Sequence, residues 1–224
     1  MAAKTKNTAK RILIVDDHPM MRTGLGQLID NEPDLKVCAE ADTAGQAIDL
    51  VAKQKFDLAL LDISLPDKSG LELIKDIRSL RPEMPVLVVS MHDEMIYAER
   101  VLRAGGRGYI MKQEGGEKFL LAIRQVLAGQ IFVSEKMSAR ILEVFSGRHT
   151  DKSISPVRNL SDREFEVFQL IGQGIGTRAI ADQLHLSVKT VEVHRANIKE
   201  KLSLKTATEL VRYAVRWVDS HGQS

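Results

Sequence analysis

Leu58-Ala59-Leu60-Leu61-Asp62-Ile63-Ser64-Leu65-Pro66-Asp67-Lys68-Ser69-Gly70 decides how this chain is read. A short apolar run, the length of a fully buried strand, stops at a carboxylate. Pro66 cannot continue a strand, and Gly70 opens the next helical pattern. In an open α/β sheet the carboxyl ends of the strands line the ligand crevice, so Asp62 is presented on a rigid edge.

The flanking segments repeat this plan. Arg11-Ile12-Leu13-Ile14-Val15 is a strand running into Asp16-Asp17, and Pro19 starts a helix with Met21, Leu25, Leu28 and Ile29 in period. Leu35 to Ala39 reads as an edge strand and Thr43 to Lys53 as a helix. After the strand that ends at Asp62 comes a helix near Leu71 to Leu80. Val86 to Val89 form a strand ending at Ser90, and Asp93 to Ala104 a helix. Gly108 to Met111 form a last strand ending at Lys112, and Phe119 to Leu127 a closing helix. Alternating β/α units predict a flavodoxin-like, doubly wound, five-stranded parallel sheet with helices on both faces.

Asp16 and Asp17 follow the first strand, Asp62 the third, Ser90 the fourth and Lys112 the fifth. In a flavodoxin-like order the first and third strands flank the switch point, so three carboxylates meet in one crevice. Like charges that close repel unless a cation intervenes, and a hard, oxygen-seeking ion such as Mg2+ resolves the conflict. Asp62 then reads as a nucleophile toward a phosphoryl group, with Lys112 pairing one phosphoryl oxygen and the Ser90 hydroxyl donating to another. A single Asp after a strand is most often a helix cap or a turn residue. The ordered set at successive strand ends is what argues for chemistry.

Val15-Asp16-Asp17-His18-Pro19, Leu61-Asp62 followed by Pro66 and Gly70, Val89-Ser90, and Ala104-Gly105 through Gly108-Tyr109-Ile110 to Lys112 resemble the receiver domain of bacterial two-component response regulators. The resemblance covers about residues 11–128 and implies that Asp62 takes phosphate from a sensor histidine kinase. It implies Mg2+ ligation by Asp17, Asp62 and the Ser64 backbone carbonyl, with Asp16 acting through water. Ser90 and Tyr109 would be a switch pair, the hydroxyl moving toward phosphate as the ring turns inward. Two positions depart from the pattern: Met91 is bulkier than the residue usual after the serine, and Gln113 replaces the proline common after the lysine.

Residues 129–157 read as a linker, with helical spacing over Ser134 to Phe145 and a polar, Gly/Ser/Pro-punctuated tether from Ser146 to Pro156. Residues 158–224 read as an all-α, four-helix domain. Ser161 to Glu164 is a capping box ahead of Phe165, Val167, Phe168, Leu170 and Ile171. A short helix (Thr177 to Leu184), a turn at His185-Leu186 and a longer helix capped by Ser187 and running to about Leu202 make a helix-turn-helix. A fourth helix runs from Thr206 to Val218.

On the longer helix Val188, Val191, Ile198 and Leu202 share a packing stripe, and Lys189, Val193, Ala196 and Glu200 lie opposite. At ~1.5 Å per residue this helix is about 22 Å long, enough to lie in a major groove. Val193 and Ala196 suit a thymine methyl, while Thr190, His194, Arg195, Asn197 and Lys201 flank that face within reach of phosphates. Leu160 to Glu164, Ile180-Ala181, and Ser187 through Thr190-Val191-Glu192-Val193-His194 to Asn197-Ile198 and Lys201-Leu202 resemble the LuxR-type helix-turn-helix. Gly176 and Ala179 depart from it at the second helix. Glu192 and Ala196 fall where relatives vary, so no base preference carries over.

The combination resembles the NarL/FixJ subfamily of response regulators. This implies a transcription regulator, not an enzyme, that binds double-stranded DNA as a homodimer through Val211, Val215 and Trp217 of the fourth helix. RNA polymerase is the further partner expected. An aspartyl-phosphate phosphohydrolase is the rival reading, but such enzymes place an acid two residues after the nucleophile, where this chain has Ser64.

Composition agrees with this reading. A chain of 224 residues, 44% apolar and 28% charged, has room for two ordinary domains. Residues 1–130 hold eighteen basic and nineteen acidic side chains, and residues 131–224 hold fourteen and eleven, a balance of −1 against +3. The basic half is thus the half that reads as DNA-binding. One cysteine, Cys38, suits a reducing compartment. With no signal-like segment before Ile12 and no apolar run near the ~18 residues of a membrane span, a soluble cytoplasmic protein is expected. The six histidines lack zinc-ligand spacing.

Overall fold

Apolar strand runs alternate with amphipathic helices through the first of two units in the computed structural model, which describes residues 9–145 and 156–221. The units divide between Ile141 and Leu142. The first contains β1 (Lys10–Val15), α1 (Pro19–Asp30), β2 (Leu35–Ala41), α2 (Ala44–Lys53), β3 (Leu58–Leu61) and α3 (Gly70–Leu80). It continues with β4 (Val86–Ser90), α4 (Glu94–Ala104), β5 (Gly108–Met111), α5 (Gly116–Leu127) and α6 (Glu135–Phe145), whose last residues cross the division. Every neighbouring pair in the order β2-β1-β3-β4-β5 is parallel, the flavodoxin-like arrangement. β2 is an edge, as its half-polar sequence suggested.

Strand alternation divides the core into two layers. Ile12, Ile14, Leu58, Leu60, Leu87, Val89 and Ile110 form one cluster with Leu25 and Ile29 of α1 and Phe119, Ile123 and Val126 of α5. The alternate residues, Leu13, Val15, Ala59, Leu61, Val86, Val88 and Tyr109, are equally buried and turn to the opposite face, where α2, α3 and α4 lie side by side. Several helices start one residue later than their polar openings indicate, because the opening residue is the cap. Thr43 Oγ1 accepts from Gln46 N–H at 3.2 Å and Asp93 Oδ1 from Met95 N–H at 2.7 Å.

The chain does not leave the sheet after α5. Phe132 forms a parallel bridge with Gly108. Its N–H donates to the Arg107 carbonyl at 3.0 Å, and its own carbonyl accepts from Tyr109 N–H at 2.8 Å. Gly108 allows this approach, since a Cβ there would lie 2.8 Å from the Phe132 oxygen and 2.9 Å from Leu87 Cδ1. The Phe132 side chain joins the α1/α5 core. The first compact unit accordingly includes this segment and runs on to Ile141. Ile131 to Val133 are too few to announce a strand by periodicity. The tether residues 146–155 lie outside the described residues.

After the end of α6, the described residues of the second unit form a 3-10 turn, Pro156–Asn159, and then α7 (Asp162–Gly172), α8 (Thr177–Gln183), α9 (Val188–Lys201) and α10 (Ala207–His221). Its core joins α7 to α10: Trp217 meets Phe165 and Phe168 edge-on at centroid distances of 5.5 and 5.7 Å, and Tyr213 lies 6.0 Å from Phe168. Gly172 lets the helices cross closely, a Cβ there falling 2.6 Å from the Ala214 carbonyl. Trp217 is half-buried against these rings within its own unit, and Val211 is exposed. Of the expected α9 stripe, Val191, Ile198 and Leu202 are buried but Val188 is 41% exposed, because it stands at the first helical position, beyond the neighbouring helices. His185, in the turn before α9, has φ of 51°, a left-handed conformation that a non-glycine residue adopts only where the turn requires it.

Candidate functional site

Strand register builds the acidic pocket. Val15 pairs with Leu61, so Asp16 and Asp62 leave adjacent strand ends together, and Asp62 N–H donates to the Val15 carbonyl at 2.8 Å. Ser90 pairs with Met111, which brings Lys112 to the same edge. The β3–α3 loop is held from two sides. Gly70 N–H donates to the Ile63 carbonyl at 2.8 Å, and a Cβ at Gly70 would lie 2.4 Å from the Asp62 carbonyl, so glycine is required there. Asp67 accepts from Ala44 N–H and Gly45 N–H, both at 2.8 Å, pinning the loop to the start of α2.

Lys112 lies at the centre. Its Nζ is 2.7 Å from Asp16 Oδ2 and 2.6 Å from Asp62 Oδ2, and the three side chains are 5%, 2% and 4% exposed. Burial pushes the Asp62 carboxyl above its ordinary value, against the pull of the Lys112 charge. Burial works against the Lys112 ammonium, yet Asp62 and Asp16 outweigh it and hold the lysine above its ordinary value. Among the described residues, Asp62 Oδ1 receives the long 3.4 Å approach of Ser64 N–H and no shorter one. Ligand oxygens of Asp16, Asp17 and Asp62 and a ring nitrogen of His18 all lie within 4.8 Å of one another. His18 Nδ1 comes 2.6 Å from Asp17 Oδ1 and 3.2 Å from Asp16 Oδ1. Its place in the group is visible in sequence only as adjacency to Asp17.

Ser90 and Tyr109 meet through His92. Ser90 Oγ accepts from His92 N–H at 3.3 Å, and the Tyr109 hydroxyl donates to the His92 carbonyl at 2.7 Å. The Tyr109 ring is fully buried, and burial raises its phenol far above the ordinary value. Ser64 Oγ and His92 Nε2 are 3.0 Å apart. Burial, and then the Lys112 charge, hold the His92 imidazole below its ordinary value. No motif in the sequence singled out His92. Met91 beside it is exposed.

On α9, Lys189, Glu192, Val193, Ala196 and Asn197 are exposed, and Thr190 and His194 half-buried. Ser187 caps the helix, its Oγ accepting from Thr190 N–H at 3.0 Å. Lys201 is placed differently from the rest: its Nζ lies 2.6 Å from Glu164 Oε2, the buried carboxylate of the α7 capping box. Burial opposes the charge on Glu164, but Lys201 and the Ser161 N–H outweigh it and keep the carboxyl below its ordinary value. The stabilisation is therefore present in full above the ordinary glutamate value and is lost as pH falls through the depressed folded value. Lys201→Ala is expected to lower the stability of the second unit by about 1–2 kcal/mol, between the effects for exposed and for buried pairs, because Glu164 is buried and the lysine partly solvated. Urea denaturation followed by Trp217 fluorescence measures this.

Residues 12–124 match the model of the response regulator receiver domain, and residues 158–214 that of the bacterial regulatory proteins of the luxR family. The chain belongs to the response regulators of the NarL/FixJ subfamily. The oxygen regulatory protein NreC of Staphylococcus haemolyticus is 38% identical over 210 residues, covering 92% of this regulator and 97% of the relative. That of Staphylococcus aureus is 39% identical over the same coverage. Among solved structures, RcsB of Salmonella enterica serovar Typhimurium, bound to promoter rprA in the presence of phosphomimetic BeF3-, aligns with a TM-score of 0.62 at 25% identity, over 93% of this regulator and 99% of that chain. A LuxR-family response regulator from Aurantimonas sp. aligns with a TM-score of 0.57 at 32% identity, over 62% of this regulator and 99% of that chain. This regulator is accordingly a transcription regulator with a receiver and a DNA-binding domain. Among its described residues no helix is long and apolar enough to cross a membrane.

Proposed function

We propose that this regulator is switched by phosphoryl transfer from a sensor histidine kinase to Asp62, and that the phosphorylated form pairs as a homodimer to set two α9 helices on double-stranded DNA. The observation that carries the reading is Lys112 Nζ held between Asp16 and Asp62 in a buried pocket at the strand ends. Lys112 occupies Asp62 Oδ2, so Oδ1 attacks: an oxygen–phosphorus bond forms as the phosphorus–nitrogen bond of a phosphohistidine breaks, and its electron pair leaves on the imidazole. Lys112 then pairs with a phosphoryl oxygen and the Ser90 hydroxyl donates to another, while Tyr109 holds the His92 carbonyl beside Ser90.

Mg2+ fits the donor set. The oxygens of Asp16, Asp17 and Asp62 converge, and Asp17 Oδ1 is buried and accepts no well-aligned hydrogen bond. Asp17, Asp62 and the Ser64 backbone carbonyl are the assigned ligands, with Asp16 acting through water. When bound, the ion neutralises charge on the incoming phosphoryl group. On α9, Lys189, Thr190, Glu192, Val193, His194, Ala196 and Asn197 make the DNA face, and Lys201 supports it from Glu164. RcsB bound to a promoter with BeF3-, and RcsB dimers bound to DNA, support carrying this arrangement over. Val211, Val215 and the accessible edge of Trp217 on α10 are assigned to the dimer contact, RNA polymerase to the partners and the cytoplasm as the compartment. Residues 11–128 and 158–224 are assigned to the two domains.

A radiolabelled small acyl phosphate with Mg2+ tests the acceptor. The wild-type chain is expected to take up label in a form released by alkali or hydroxylamine, as an acyl phosphate is, and Asp62→Asn none. Label on the Asp62→Asn protein would place the acceptor elsewhere.

A further inference from the structure

Two helices of this chain use the same capping chemistry in different ways. At α7 the box is local: Glu164 N–H donates to Ser161 Oγ at 3.3 Å, and Ser161 N–H donates to Glu164 Oε2 at 2.7 Å. At α6 the cap is Ser134, whose Oγ accepts from Met137 N–H at 3.1 Å. The residue that would return the second bond is Met137 itself, buried and unable to accept it. The bond comes instead from another helix. Ser134 N–H donates to Glu94 Oε1 at 2.7 Å, and Glu94, 9% exposed, is the first residue of α4. One carboxylate thus stands at the amino ends of two helices and is favourable to both dipoles. A second tie runs from Arg140 Nη1 of α6 to the Met95 carbonyl, at 3.4 Å.

Both halves of this cap are tied to the pocket. Glu94 lies two residues after His92, whose N–H is held by Ser90 Oγ and whose carbonyl is held by the Tyr109 hydroxyl. Ser134 lies two residues after Phe132, whose carbonyl takes Tyr109 N–H. Tyr109 therefore anchors the acceptor's loop through its side chain and the donor's strand through its backbone. Ser90 is the only further link between His92 and the pocket that this path needs.

We propose that Glu94 is a positioning residue that completes the α6 cap in trans and so couples the order of α6, the covalent lead into the DNA-binding unit, to the state of Asp62. The coupling rests on the reading of Asp62 as phosphoacceptor; the cap itself does not. A phosphoryl group on Asp62 draws the Ser90 hydroxyl, takes up residues 90–94 against Tyr109 and tightens the cap.

Hydrogen exchange of the full-length chain over residues 134–142, read by mass spectrometry beside label uptake, tests both statements. In unmodified protein Glu94→Ala is expected to exchange on the order of tenfold faster there than wild type, and Glu94→Gln two- to threefold faster, with label uptake unchanged. Phosphorylation slows this exchange about fivefold in wild type and leaves it unmoved in Glu94→Ala. If Glu94→Ala disturbs the receiver as a whole, Glu94→Gln decides in its place. Exchange in both variants equal to wild type overturns the cap. Exchange that answers to Glu94 but not to phosphorylation of a labelled wild-type chain overturns the coupling. Failure of wild type to take label removes the Asp62 reading and the coupling with it, while the unmodified proteins still decide the cap.

Discussion

Lys112→Met is expected to destabilise the receiver by about 3–5 kcal/mol at neutral pH and low Mg2+, the size of effect seen when one partner of a buried ion pair is removed. The argument is geometric. The ammonium is 2.7 Å from one carboxylate and 2.6 Å from another, and none of the three side chains is more than 5% exposed. Methionine replaces the volume but leaves Asp16 and Asp62 facing each other without a counter-charge, so the pair must hold a proton or loosen the strand ends. Millimolar Mg2+ restores part of the loss, since a divalent ion on the same oxygens takes over the neutralisation. Phosphoryl uptake at Asp62 falls by about 100-fold or more even where folding is restored, because the phosphoryl group has lost its charged donor. The sole tryptophan, Trp217, lies in the second unit. Urea unfolding followed by far-UV circular dichroism is therefore expected to show the receiver's transition moved and the Trp217 fluorescence transition in place. Equal stability of Lys112→Met and wild type at low Mg2+ would mean that the lysine is not what balances the acidic pair.

What could be read in advance follows from which interactions are local. Strand ends announce themselves, because an apolar run that stops at Asp16, Asp62, Ser90 or Lys112 carries its own punctuation, and parallel pairing places those ends on one edge. The α7 capping box was legible for the same reason, Ser161 and Glu164 being one turn apart. Contacts between distant segments left no trace. Lys201 pairs with Glu164 across 37 residues, and a lysine on the third helix of such a domain reads as a phosphate contact until that pair is seen. Ser134 finds Glu94 across 40 residues, and nothing in Ser134 to Phe145 says that its cap is incomplete. Phe132 was missed because a single bridging residue has no period, and its place at β5 depends on Gly108 having no side chain. Val188 shows the limit of the helical stripe: position in period gives the face, not whether a neighbour reaches the end of it.

The second large effect is expected on DNA. Val193 is 52% exposed near the middle of α9, with Lys189, Ala196 and Asn197 exposed on the same side. An exposed apolar residue among polar ones gains nothing from water, so the position makes sense where it meets a base methyl in the major groove. Val193→Glu replaces that contact with a carboxylate facing phosphates and is expected to weaken binding to a specific site by 100-fold or more, roughly 3 kcal/mol. Val193→Ala is expected to lose about 1 kcal/mol and to relax preference at one base pair, since each good contact discriminates by about that much. Lys189→Ala is expected to act differently, weakening specific and non-specific binding alike and reducing the salt dependence of log K by about one phosphate contact. Fluorescence anisotropy titrations at several salt concentrations separate the three outcomes. Label uptake at Asp62 and the Trp217 unfolding transition, both unchanged, show that the substitutions act at the interface and not on the fold. A Val193→Glu protein that binds within twofold of wild type would move the reading face to another side of α9.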